Sequence, residues 1–129
     1  MALDPANLPP EVTAFLAERH LAALVTMRAD GTPHVVPVGF SWDARERTVR
    51  IITFASSVKY KNASRGGRGV VSQVDGGRWL TLEGTVSGTD DPARVALAVE
   101  GYSARYRQPG ERADRVAIEI AVDKILGRG

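Results

Sequence analysis

The chain has 129 residues, 43% of them hydrophobic and 25% charged, with no Cys and a formal net charge of +2. That suits one globular domain spanning residues 1–129 with a core of its own. It excludes disulfides, thiolate metal sites and a Cys nucleophile, and no apolar run approaches the ~20 residues of a membrane span.

MALDPANLPPEV has no basic region followed by an apolar one, so no secretory signal is expected and the composition points to the cytoplasm. Pro9, Pro10 and Glu11 suit a helix start, and Val12, Phe15 and Leu16 recur at helical spacing behind them. LAALVTMR is a strand running into the turn Ala29-Asp30-Gly31, and PHVVPVGFSW returns as its hairpin partner. Pro33 and Pro37 donate no amide, which places parts of that strand at an edge or bulge. After the turn at 43–46, TVRIITFA is a third strand, rich in β-branched residues.

Ser56 or Ser57 can cap a short helix through Lys59 and Asn62, which Gly66, Gly67 and Gly69 end. GVVSQV is a fourth strand, Asp75-Gly76-Gly77 a hairpin turn and WLTLEGTVSG a long fifth strand. Asp90, Asp91 and Pro92 open a helix with Val95, Val99, Tyr102 and Tyr106 on one face. RQPGERAD is a loop, and RVAIEIAV a sixth strand. Six strands in hairpin series with peripheral helices predict a mostly β fold, a small six-stranded antiparallel barrel.

Charge is distributed unevenly. Arg47, Arg50, Lys59, Lys61, Arg65 and Arg68 fall in a window, 47–74, that holds no Asp or Glu. Unpaired amides at a helix start favour anions. Ser57 and Lys59 there could complete a phosphate cradle, with Asn62 and Arg65 one and two turns on. A solvated connector helix explains the same residues. Only Tyr60 interleaves these cations and Phe54 ends a strand, too few stacking faces for a nucleic-acid site.

Gln73 and Trp79 flank the 75–77 turn and could offer a heterocycle a hydrogen bond and a stacking face; Trp79 equally suits a core or a dimer interface. Gly39, between strand prolines, permits close approach of a flat ligand, or marks a plain edge strand. His20 and His34, the only histidines, lack metal-ligand spacing, and no nucleophile–base pair occurs, so no metal site and no catalytic residue is assigned. An enzyme of this sequence leaves its chemistry to a cofactor.

RADGTPHVVPVGF, SSVKYKNA, SQVDGGRWLTLEG and the closing VAIEI, in that order, resemble the pyridoxamine-phosphate-oxidase-like split β-barrel superfamily over about residues 10 to 127. Within it the chain is most similar to the flavin/deazaflavin oxidoreductases that use coenzyme F420, and among these to the F420-dependent biliverdin reductase group. The resemblance implies a homodimer with the cofactor in a groove at the subunit interface. It implies that Val36, Pro37, Val38 and Gly39 line the deazaflavin ring, that Thr53, Ser57, Lys59 and Asn62 form the phosphate site, and that Gln73 and Trp79 close the far side. The reaction implied is hydride transfer to a conjugated substrate, biliverdin giving bilirubin; Arg78, Arg105, Arg107 and Arg112, chosen for their expected place near the groove, are candidate partners for its propionates. FMN is the alternative cofactor, and a carrier of F420 or haem the non-catalytic alternative. FMN offers one phosphate, whereas F420 adds a carboxylate-rich tail, which a basic track through Lys61, Arg65 and Arg68 would suit.

Overall fold

The computed structural model describes residues 2–129. Eight strands and three short helices follow the chain: β1 (Ala2–Leu3), α1 (Pro10–Ala17), β2 (Ala22–Met27), β3 (Pro33–Val38), β4 (Ser41–Asp43), β5 (Thr48–Phe54), α2 (Val58–Ser64), β6 (Arg68–Asp75), β7 (Arg78–Thr89), α3 (Pro92–Arg105) and β8 (Arg115–Arg128). All strand pairs are antiparallel, in the order β3-β2-β6-β7-β8-β5-β4, with β1 added to β8. The mostly β class expected from the sequence is what forms, but with eight strands instead of six, and the hydrogen-bonded path does not close on itself.

Two differences have local causes. PHVVPVGFSW breaks after Val38, because the chain must turn from β2 to pair with β5, and Ser41–Asp43 becomes an edge strand of its own. The closing strand runs on to Arg128 past Asp123 and Lys124, which an alternation rule reads as an end. A register shift at Glu83/Gly84 accommodates the extra length against β7.

The core lies on the inward face of the sheet. Leu24, Phe40, Val49, Ile51, Val71, Leu80, Leu82, Ile118, Ile120 and Ile125 are buried there, closed over by Val12, Phe15 and Leu16 of α1. At ~0.8 kcal/mol per buried methylene, this cluster is the main stabilising term. The opposite face of β3, β2 and β6 is apolar yet open: Leu21 is 63% exposed, Val35 58% and Val74 63%. A groove of about 380 Å³ there is lined by Leu21, Ala23, Val35, Val36, Pro37 and Val74.

Candidate functional site

β5 delivers the chain to Ser57, which caps α2 by accepting from the Tyr60 amide at 3.2 Å. Thr53, next to the end of β5, donates its hydroxyl to Ser57 Oγ at 3.0 Å, and both side chains are buried. These bonds fix the helix start, so Lys59, one residue into the helix, turns back over β5. Its ammonium lies 5.9 Å from the centre of the Phe54 ring. Lys59 then lines a pocket of about 220 Å³ with Pro37, Val38, Gly39, Ile51, Ile52 and Tyr102.

Ile52 continues into a second depression of about 150 Å³ with Thr53, Phe54, Arg112 and Arg115. The Arg112 guanidinium stacks 4.2 Å from the Phe54 ring centre and pairs with Asp114 at 2.6 Å. Sharing Ile52, the two depressions together make up a trough, with the end of β3 and Lys59 in one part and Arg112 and Arg115 in the other. Among the described residues Lys59, Lys61 and Arg115 have no carboxylate partner. Burial alone holds the Lys59 ammonium below its ordinary pKa, so its charge is carried at a cost that an anion would relieve.

The structure gathers Pro37, Val38, Gly39 and Lys59 in this pocket and sets Thr53 and Ser57 beside it. Val36 lies instead in the outer groove, next to Pro37, which lines both cavities. The space beside Gly39 is taken by protein: an added Cβ would stand 3.1 Å from the Tyr106 ring and 3.2 Å from that of Tyr102.

Asn62 is 4% exposed and turned inward, donating to Thr26 Oγ1 at 3.1 Å and accepting from Arg65 at 2.6 Å. Gln73 is 1% exposed, donating to the Phe15 carbonyl at 3.3 Å and accepting from Arg105 at 2.8 Å. Gln73 and Trp79 do not meet. Gln73 pairs with Leu80 and Val74 with Trp79, so alternation sends the two to opposite faces.

The arginines divide likewise. Arg105 is buried and donates to the carbonyls of Glu18 and Phe40 and to Gln73, a structural clamp between α3, α1 and the sheet. Arg78 forks onto Glu18 and also pairs with Asp75; its hydrogen bonds hold both carboxyls below their ordinary range. Of the four, Arg112 reaches the trough, while Arg107 lies exposed outside it.

The basic window is also less basic in three dimensions. Arg50 is enclosed by Asp43 at 2.6 Å, Glu119 at 3.0 Å and Glu46 at 3.2 Å. Arg68 is held by Asp123 at 2.6 Å and Glu83 at 3.5 Å. The proposed track through Arg68 is thus neutralised; Arg112, expected only as a propionate partner, reaches the trough, and Arg115 beside it was not expected from the sequence. Tyr102, Ile51 and Ile52 were missed as well, since their helix and strand periodicity reads as core packing.

Neither histidine lines these cavities. His20 Nδ1 lies 3.2 Å from the Leu21 carbonyl, and His34 Nδ1 is buried without a partner. No helix is long and apolar enough to cross a membrane among the described residues.

Comparison with known proteins agrees with this architecture. Residues 8–129 match the pyridoxamine 5'-phosphate oxidase family. The chain is 48% identical over 121 residues to an F420H2-dependent biliverdin reductase of Mycobacterium tuberculosis, covering 94% of this chain and 88% of that one. A solved F420 reductase is 27% identical with a TM-score of 0.73, covering 92% of this chain and 98% of that one. A haem storage protein of Vibrio cholerae shares the fold alone, with a TM-score of 0.77 at 16% identity over 95% and 96% of the two chains. On a family match across most of its length and a near relative at 48% identity, the chain belongs to the pyridoxamine 5'-phosphate oxidase family, on the branch that includes an F420H2-dependent reductase.

Proposed function

We propose that this chain is an F420H2-dependent reductase that converts biliverdin to bilirubin, acting in the cytoplasm as a homodimer of single-domain subunits. The observation that carries the reading is the 48% identity, across 94% of the chain, to a reductase of that name. The pocket supports it. A deazaflavin with an anionic tail needs a flat apolar wall, backbone groups at its polar edge and cations not already neutralised. Ile51, Ile52 and the 37–39 backbone supply the first two, and Lys59, Arg112 and Arg115 the third. When bound, F420H2 supplies a hydride.

The chain's own residues bind and orient. Pro37, Val38 and Gly39 line the ring, and Lys59 holds the phosphate. Thr53, Ser57 and Asn62 act indirectly, fixing α2 so that Lys59 faces the pocket. Gln73 anchors α3 through Arg105, and Arg112 and Arg115 receive the substrate propionates or the cofactor tail.

The dimer reading rests on area and shape. At about 220 Å³ the pocket falls short of the ~300–1,000 Å³ usual for ligand sites. The adjoining apolar groove and its exposed Leu21, Val35 and Val74 form a face that a second copy would cover, enclosing the ligand between subunits. Trp79, opposite Val74, flanks that face.

The test is a fluorescence titration with F420 and, separately, FMN, followed by biliverdin turnover with F420H2. Tight F420 binding, weak FMN binding and bilirubin formation are expected. Preference for FMN would transfer the same pocket to a flavin enzyme, a reading favoured by the loss of Arg68 from the basic track.

A further inference from the structure

Two tyrosines stand together at the end of α3, Tyr102 in its last turn and Tyr106 at its C-cap, and the fold employs only one hydroxyl. Tyr106 donates to the His20 carbonyl at 2.6 Å, with the Phe40 carbonyl 3.3 Å away, and burial pushes its phenol up. The Tyr102 ring lies 5.0 Å from that of Tyr106, centre to centre, yet its hydroxyl has no hydrogen-bond partner among the described residues. Tyr102 is half-buried and lines the same pocket as Lys59 and the 37–39 backbone. Gly39 keeps it there, because any larger residue would press on both rings. A phenol fitted against the ring-lining backbone, beside an unpaired ammonium and with no partner of its own, is a group available to a ligand.

We infer that Tyr102 donates the proton that accompanies hydride transfer, an inference resting on the reductase reading above. In the step, the central methine carbon of the substrate gains the hydride and its electron pair from the reduced cofactor. The conjugated π electrons move to a pyrrole-ring nitrogen. The Tyr102 O–H bond breaks and its proton forms the new N–H bond. The substrate is reduced by two electrons and the cofactor oxidised by two, the cofactor's own acidic proton leaving to solvent. Lys59 favours the transient phenolate by its charge, and water at the pocket mouth restores the phenol. The charged and titratable groups facing Tyr102 are Lys59 from α2 and Tyr106 at the C-cap of α3; β3 and β5 present Pro37, Val38, Ile51 and Ile52.

The experiment is Tyr102→Phe in the full chain, with F420 affinity, kcat for biliverdin and its pH profile measured against wild type. F420 affinity is expected within twofold of wild type. kcat falls about 10²-fold, as for loss of a general acid. With F420H2 saturating, so that Lys59 keeps its anionic partner, the alkaline limb of the wild-type kcat profile disappears, which a packing role would not cause. Unchanged kcat with the alkaline limb intact overturns the assignment. If Tyr102→Phe does not fold, tyrosine is replaced throughout by 3-fluorotyrosine, which acidifies the phenol at constant size. The alkaline limb must then move to lower pH, and an unmoved limb overturns the assignment. A wild-type protein that binds no F420 refutes the reductase reading itself, and this inference with it.

Discussion

Lys59→Met separates binding from folding. Lys59 is half-buried, lacks a carboxylate partner and is held below its ordinary pKa by burial, so beyond a distant contact with the Phe54 ring its ammonium adds little to the fold. A charge-assisted hydrogen bond to an anion contributes about 1.5–3 kcal/mol, which is roughly 10- to 150-fold in Kd. Met keeps the length and apolar stem and gives up only the ammonium, which lies 5.9 Å from the centre of the Phe54 ring. F420 affinity, read by fluorescence at low salt, is expected to fall by that factor while Tm stays level or rises. Lys61→Met, an exposed control, should cost no more than about fivefold, the most that ~1 kcal/mol allows.

pH supplies a second arm. The folded pKa of Lys59 lies below its unfolded value, so the penalty of its buried charge is full at neutral pH. It is relieved as pH rises through the depressed pKa toward ~10.4. F420 binding should weaken over that same rise, because only the ammonium pairs with the phosphate. Lys59→Met should show neither trend. An affinity within threefold of wild type, or a large drop in Tm, would refute the reasoning, because Lys59 would then be a structural residue.

Other perturbations test the frame that holds this pocket. Asp43→Asn removes the 2.6 Å partner of Arg50, whose side chain is 4% exposed; a loss of ~1–3 kcal/mol is expected by urea unfolding, because Glu119 and Glu46 remain. Burial raises the Asp43 pKa, but the Arg50 hydrogen bond and the amides of Glu46 and Arg45 lower it further, leaving it below its ordinary value. Its stabilisation is therefore present above ~pH 4 and lost as pH falls through the folded pKa, so the Tm of Asp43→Asn should fall less steeply with acid than wild type. Asn62→Ala strands the Thr26 hydroxyl in the core and should cost ~1–3 kcal/mol, measured by chemical denaturation. Val35→Glu, at a 58% exposed site, should leave a subunit folded but shift sedimentation toward monomer and weaken F420 binding. A dimer that persists would move the interface elsewhere.

Much of the frame was legible in local sequence. A serine cap at 56 or 57, Pro92 at the first position of α3, the turn at Gly76 and the buried trio Val12, Phe15 and Leu16 follow from dihedral preference and periodicity, which act over a few residues; the structure selects Ser57 as the cap. Asp91 takes the cap position of α3 as expected, although its side chain makes no cap bond. The split between β3 and β4 was not legible, because it depends on which distant strand each half meets.

The site divides along the same line. The family resemblance, carried by ordered motifs, pointed to Pro37, Val38, Gly39 and Lys59, and these four share one pocket. Gln73 and Asn62 carried no sign that their amides would be consumed by Phe15, Arg105, Thr26 and Arg65, because those partners arrive only when helices dock.

Sequence by itself determined six of the eight strands, the helix starts and a cluster of six cations between Arg47 and Val74. Tertiary structure decided which of those charges remain free. Strand register brings Glu119 to Arg50 and Asp123 to Arg68, cancelling charge that looked available, and carries Arg112 and Arg115 to the trough beside Lys59. Coulomb attraction depends on distance through space, and only the packed sheet sets that distance for residues tens of positions apart.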